Sequence, residues 1–222
     1  MKLVDNLYCY IWPGAGNNAN SYLIGGETPT LIDPGHIMNE FREPCLSQLL
    51  AAMADDGFKP EDMKLIINTH LHPDHCQASP ELAARSKAKV AFHKADAELA
   101  AARFGRRLEE VGLKADFYLT EGELELGINQ KTKLVVYHTP GHSPGSVCLY
   151  LPQSKAFISG DLVFTMSVGR TDIPGGDIDQ LRESIERMSK LDVEHLLPGH
   201  MAMLSGRERV QRNFAYVKRA FF

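Results

Sequence analysis

Short apolar runs in this chain repeatedly close on a turn that carries a histidine or an aspartate. Met63 to Asn68 reads as a buried strand and opens into the polar loop Thr69 to Cys76. The strand ending near His138 leads to His142, Ala156 to Ser159 leads to Asp161, and His195 to Leu197 leads to His200. Loops held by a rigid scaffold are where binding and catalytic groups tend to lie. These turns are therefore the first place to look for a site.

Between such runs lie segments of helical period. The opening third carries strand-like runs at Leu7 to Trp12, Asn20 to Ile24 and Thr30 to Asp33, separated by turn residues as in a meander. Asn39 to Met53 then reads as a helix, with Leu46, Leu49, Leu50 and Met53 at three- and four-residue spacing. Further helices are predicted at Pro80 to Ser86, Ala95 to Arg103, Ile178 to Leu191 and Arg207 to Phe222. Strands are predicted at Lys89 to Phe92, Glu123 to Leu126, Lys133 to His138 and Val147 to Leu151. Strands alternating with helices predict an α/β class of layered sheets and helices. At 222 residues, with no long linker and no repeat, one domain over 1–222 is the expectation.

Composition narrows the function classes. Lys plus Arg number 24 against 28 Asp plus Glu, a formal charge of −4, which disfavours a nucleic-acid partner. No stretch approaches the roughly 18 apolar residues of a membrane span, and the N-terminus lacks the features of a secretory signal. Cys9, Cys45, Cys76 and Cys148 are far apart and form no C-x-x-C pair, so a cytoplasmic protein with reduced thiols is expected.

The densest feature is His70-Leu-His72-Pro-Asp74-His75, three histidines and an aspartate in six residues. Imidazole and carboxylate are the standard ligands for zinc and similar divalent ions. Asp74 and His75 are adjacent, so they can point apart and serve different ions. A catalytic ion takes about three protein ligands and leaves a position for water. Four ligands on one loop are a surplus that suggests two ions. His142, Asp161 and His200 supply further donors on strand-end turns.

H-x-H-x-D-H at 70–75, T-P-G-H-S-P-G-S at 139–146, G-D at 160–161 and P-G-H at 198–200 together resemble the metallo-β-lactamase-fold superfamily. The resemblance runs from about residue 7 to 200. It implies a four-layer αβ/βα sandwich with metals at one edge between the sheets. It implies that His70, His72 and His142 hold one metal, that Asp74, His75 and His200 hold a second, and that Asp161 bridges both. The cofactor is then two divalent metal ions, zinc first, with iron or manganese as alternatives. Asp74 and Asp161 are the expected catalytic carboxylates.

Gly169-Arg-Thr-Asp172 is similar to the short glyoxalase II-like hydrolases (hydroxyacylglutathione hydrolase-like) and to persulfide dioxygenases. Val168 stands where the dioxygenases commonly carry cysteine, and Met201 where glycine usually follows the P-G-H histidine. Arg170 and Asp172 are candidates for substrate contact, although mutual pairing that shapes the loop is favoured. The implied activity is binuclear hydrolysis of a thioester such as an acylglutathione, through a metal-bridging hydroxide. A thiolate leaves without a strong acid, and no proton donor is evident. The alternatives are a mononuclear iron persulfide dioxygenase on His70, His142 and Asp161, a lactone or ester hydrolase, and a non-catalytic metal-binding module. The expected partner is a small acyl substrate, with neither nucleic acid nor membrane. The oligomeric state is left open, a homodimer included. His36, His93, His138 and His195 are expected to make structural hydrogen bonds, with His36 or His138 as further candidates for orienting a ligand.

Overall fold

Strands buried on both faces need a layer of side chains above and below them, and that requirement shapes this molecule. A computed structural model of the chain describes residues 1–104, 108 and 112–222. One sheet runs in chain order through Lys2–Val4 (β1), Leu7–Tyr10 (β2), Ser21–Ile24 (β3), Thr30–Ile32 (β4), Leu65–Ile67 (β5), Lys89–His93 (β6) and Phe117–Leu119 (β7). Its first four strands are an antiparallel meander, and β4 to β7 pair in parallel. The second sheet contains Gly122–Leu126 (β8), Thr132–His138 (β9), Val147–Leu151 (β10) and Ala156–Gly160 (β11). A small hairpin of Val163–Phe164 (β12) and Ser167–Val168 (β13) follows. His195–Pro198 (β14) then joins β11 in parallel, and Leu204–Ser205 (β15) closes the edge.

Helices cover the outer faces. These are Cys45–Asp55 (α1), the single turn Pro73–Cys76 (α2), Ser79–Ser86 (α3), Lys94–Phe104 (α4), Ile178–Met188 (α5) and Arg207–Phe221 (α6). The alternation along single strands shows the layering. On β3, Tyr22 and Ile24 face a core shared with Leu149 and Ile158 of the other sheet. Leu23, between them, packs with Leu46, Leu49 and Met53 of α1 and Leu82 of α3. On β11, Ile158 faces the shared core, while Phe157 packs with Leu181 and Ile185 of α5 and Phe214 of α6. Helix, sheet, sheet, helix is the four-layer order expected. No helix among the described residues is long and apolar enough to cross a membrane.

One predicted element moves. The helix expected from Asn39 begins only at Cys45, after Pro44. A residue before proline is biased away from helical torsions, and the segment spends its polar groups elsewhere. Asn39 Oδ1 accepts from the N–H groups of Phe41 and Glu43. The Glu43 carboxylate accepts from the N–H groups of Ala15 and Gly16 at 3.0 and 2.8 Å. That clamp holds the 13–18 loop, which reaches the site below. The β1, β7, β12, β13 and β15 strands, each of two or three residues, were not read from sequence, whereas the equally short β4 and β5 sit inside longer apolar runs that were.

A second carboxylate clamp predicts a pH effect. Glu27 accepts from Ile128 N–H, Asn129 N–H and Asn129 Nδ2 at 2.6–2.9 Å, across about a hundred residues of chain. Hydrogen bonds from the Asn129 side chain and backbone, then from Ile128, pull its pKa from 4.5 down to about 2. A depressed folded pKa gives stability that is present above the unfolded value and lost as pH falls through the folded one. The denaturant midpoint of wild type should exceed that of Glu27→Gln at pH 6. The gap should close between about pH 4.5 and 2, and a gap independent of pH would contradict the clamp.

Candidate metal centre

The strand-end turns of both sheets meet at one edge. β5 delivers Thr69 and His70, β11 delivers Asp161, and β14 delivers His200. Backbone hydrogen bonds lock these loops to each other: Val147 N–H donates to Thr69 O, Gly199 N–H to Gly160 O, and Asn20 N–H to Gly199 O, at 2.7–2.8 Å. Pro73 at the first position of α2 starts the turn that carries Asp74 and His75 inward. Gly199 is required by close approach. A Cβ there would strike the Asp161 carboxylate and come within 2.7 Å of His75 Cε1.

All seven residues expected as ligands converge. His70, His72 and His142 form one group, Asp74, His75 and His200 a second, and His70, His75 and Asp161 a third. Within each group the donor atoms lie within 4.8 Å of one another. Asp161 sits between the first two, its Oδ2 3.4 Å from His142 Nε2 and 3.5 Å from His200 Nε2, its Oδ1 3.2 Å from His75 Nε2. Asp74 and His75 face the same group, with Asp74 Oδ2 3.9 Å from His75 Nε2 and 3.2 Å from His200 Nε2. Adjacent residues were able to diverge toward different ions, but the first turn of α2 turns both inward.

The ring orientations are set by partners that the sequence reading did not single out. Asp33, buried at the end of β4 with φ +50°, accepts from Thr69 N–H and Thr69 Oγ1 at 2.7 Å. The same carboxylate lies 2.9 Å from His75 Nδ1, which therefore carries a hydrogen. With its own proton given to Asp33, Thr69 Oγ1 accepts from His70 Nδ1 at 3.1 Å. One carboxylate thus orients two histidines and leaves both Nε2 atoms facing the site. The Arg170 carbonyl accepts from His142 Nδ1 at 2.7 Å. Asn17, on the loop clamped by Glu43, donates to Asp74 Oδ2 at 2.9 Å. Asp96 of α4 accepts from Leu71 N–H, Ser143 Oγ and Gly145 N–H, tying together the loops of His70 and His142. The visible signal for Asp33 was its place: an acid before Pro34-Gly35 at a strand end, like the other site turns.

The electrostatics suit cations. Burial, then His75 and His142, holds His70 well below its ordinary pKa. Burial and the neighbouring His142 push His72 down to about 4. Burial works against a charge on His75 as well, but Asp161, Asp33 and Asp74 surround it and hold it well above the ordinary value. Burial also opposes charge on Asp161 and Asp74, yet His75 and His200 keep both carboxylates ionised. Buried His70 Nε2 has no hydrogen-bond partner, and buried Asp161 Oδ1 has only the His75 imidazole, 3.2 Å away. Orphaned buried acceptors are costly. A metal ion bound by imidazole nitrogen and carboxylate oxygen satisfies both, so the donor set fits a divalent ion.

The other histidines are structural, as expected. His36 Nδ1 meets Gln77, His195 Nδ1 meets Ser205, and His138 Nε2 donates to the Pro144 carbonyl while its ring stacks on His93 at 4.1 Å. Neither His36 nor His138 contacts a ligand histidine in these bonds. Arg170 and Asp172 pair through two 2.9 Å hydrogen bonds on the surface. Arg170 lines the cavity over the site, and Asp172 lies outside it. Met201 has φ +69°, the left-handed region that favours glycine.

Comparison with known proteins agrees with this geometry. The family model described as metallo-beta-lactamase superfamily matches residues 14–200. The probable metallo-hydrolase MJ0888 of Methanocaldococcus jannaschii is 34% identical over 200 residues, 84% of this chain and 89% of the relative. The acyl-coenzyme A thioesterase MBLAC2 of Gallus gallus is 31% identical over 221 residues, 89% of this chain and 77% of the relative. The crystal structure of TTHA1623 in a di-iron-bound form superposes with a TM-score of 0.68 at 33% identity, covering 92% of this chain and 96% of that one. The matched span carries six of the seven convergent residues before His200 and ends on His200 itself, so the chain belongs to the metallo-beta-lactamase superfamily.

Proposed function

We propose that the protein is a binuclear metal-dependent hydrolase of thioesters. His70, His72 and His142 would hold one divalent ion and Asp74, His75 and His200 a second, with Asp161 shared between them; zinc is the first expectation. When bound, such ions supply a Lewis acid and lower the pKa of water toward neutrality. The chain's own residues do the rest. Asp33, Thr69 and the Arg170 carbonyl hold three imidazoles in one tautomer and direction. Asn17 restrains the Asp74 carboxylate that faces His200.

The observation that carries the thioester reading is the lack of a free acid. Among the described residues, the polar side chains that line the cavity besides the ligands are Asn17, Asp96, Ser143 and Arg170. Asn17 donates to Asp74, Ser143 to Asp96, and Arg170 to Asp172. Burial holds the Asp96 pKa above its ordinary value, but both of its oxygens are taken up by hydrogen bonds donated by Leu71, Ser143 and Gly145. A leaving group must then depart unprotonated, which a thiolate does and an amine or alkoxide does not. The thioesterase relative and the glyoxalase II-like G-R-T-D loop support the same reading. Four free, buried cysteines are consistent with the cytoplasm as its place.

Elemental analysis of untagged protein purified without chelator tests the centre, and acylglutathione and acyl-coenzyme A substrates test the chemistry. About two ions per chain and turnover of either thioester class are expected. About one iron per chain with oxygen uptake on a persulfide, and no thioester cleavage, would replace this reading with the oxygenase.

A further inference from the structure

Beyond its metal-facing floor, the cavity has a wall of a different character. Leu99 and Ala100 of α4 stand opposite Ile173 and Pro174 of the 169–177 loop, with Leu71 and Phe164 beside them. The two sides approach closely at one end, where a Cβ on Gly175 would come 2.6 Å from Leu99 Cδ2. Leu71, Leu99, Ala100 and Ile173 are only half-buried, so apolar surface is left facing the cavity. The cavity holds about 570 Å³, well inside the ~300–1,000 Å³ of small-molecule sites. It therefore has room for a chain as well as for a reacting centre.

The side chains at the Leu99 and Ile173 end of the cavity, among the described residues, are apolar: Leu71, Leu99, Ala100, Ile173 and Pro174. The non-ligand polar side chains named above bond within the protein: Asn17 to Asp74, Ser143 to Asp96, Arg170 to Asp172. A hydroxyl laid against Leu99 or Ile173 would lose water and gain no partner, whereas a methylene there gains by leaving water.

We propose that this wall selects substrates with an apolar acyl chain of several methylenes, laid against α4 and the 169–177 loop, with Leu99 and Ile173 as the residues that set the preference. The assignment rests on the thioester reading for its chemistry and on the wall alone for its specificity.

The test uses the metal-loaded protein and thioesters of a single thiol from acetyl to octanoyl, with a short 2-hydroxyacyl thioester alongside. Each methylene buried against the wall should raise kcat/KM by roughly two- to fourfold, so hexanoyl should exceed acetyl by roughly 20- to 200-fold. Leu99→Asp should collapse that ratio to within about threefold of one. Ile173→Ala, a milder change on a loop, should lower it partway and guards against a folding defect in the first variant. A second readout needs no turnover. Octanamide should bind the metal-free protein in calorimetry with a negative heat-capacity change, acetamide should not, and Leu99→Asp should lose the octanamide signal. Thioester turnover that is flat in chain length, or fastest on the hydroxyacyl compound, overturns the wall assignment and leaves the thioester reading intact. No thioester turnover with octanamide binding retained does the reverse. Loss of both signals removes both.

Discussion

Asp161→Ala is expected to lose metal and turnover together while keeping its fold. Asp161 stands between the two histidine groups, within 3.2–3.5 Å of His75, His142 and His200. Without it no single carboxylate among the described residues joins both groups. Turnover should fall by at least about a thousandfold, because the lowered water pKa depends on the bound ions. The metal-free fold should survive, since His75 loses one of three neighbouring carboxylates but keeps Asp33 at 2.9 Å and Asp74 at 3.9 Å. The diagnostic is therefore the response to zinc. A ligand at about 100 times its Kd stabilises by about 2.7 kcal/mol, so wild type should melt several degrees higher with zinc and the variant should not move. A variant that keeps both its metal content and its turnover would show that the centre is assigned wrongly.

Asp33→Ala should act through stability as much as through metal. Asp33 is almost wholly buried and accepts from Thr69 N–H, Thr69 Oγ1 and His75 Nδ1 at 2.7–2.9 Å. Removing it strands three buried donors, one of them on an imidazole whose charge three carboxylates now favour. Breaking a buried hydrogen-bonded charge pair from one side costs about 3–5 kcal/mol. Residues that orient metal-binding histidines change metal affinity by roughly 10- to 100-fold when removed. Asp33→Asn should fall between, because asparagine tolerates φ +50° and retains one acceptor, but sets an NH₂ group against donors. The pair of variants separates the two effects. An Asp33→Ala protein with an unchanged denaturant midpoint would show that the carboxylate is not holding the loop. One that is destabilised, yet binds zinc as tightly as wild type, would confine its role to the fold.

The sequence by itself determined the candidate metal-donor residues and the class of fold. His70, His72, Asp74, His75, His142, Asp161 and His200 could be read because each follows a short apolar run or stands in a dense polar loop. The residue types were informative because few chemistries use imidazole and carboxylate at that density. The strands and helices that could be placed were those with enough length to show a period, such as β9 and α5. Two-residue strands such as β12 were beyond that reach, and so was the start of α1, which Pro44 and the side-chain bonds of Asn39 and Glu43 set together.

Only the tertiary structure decided how the ligands are held and what surrounds them. Asp33 lies 42 residues before His75, and Asp96 lies 47 before Ser143, so their hydrogen bonds exist only once β4, β5 and α4 are packed. Asn17 reaches Asp74 because Glu43 clamps its loop. The apolar wall is likewise assembled from α4 and a loop more than seventy residues later, neither of which is notable alone. Donor chemistry is a property of single residues and survives in a linear string. Orientation, burial and shape depend on contacts between segments distant in the chain, and those come into being only with the packed sheets.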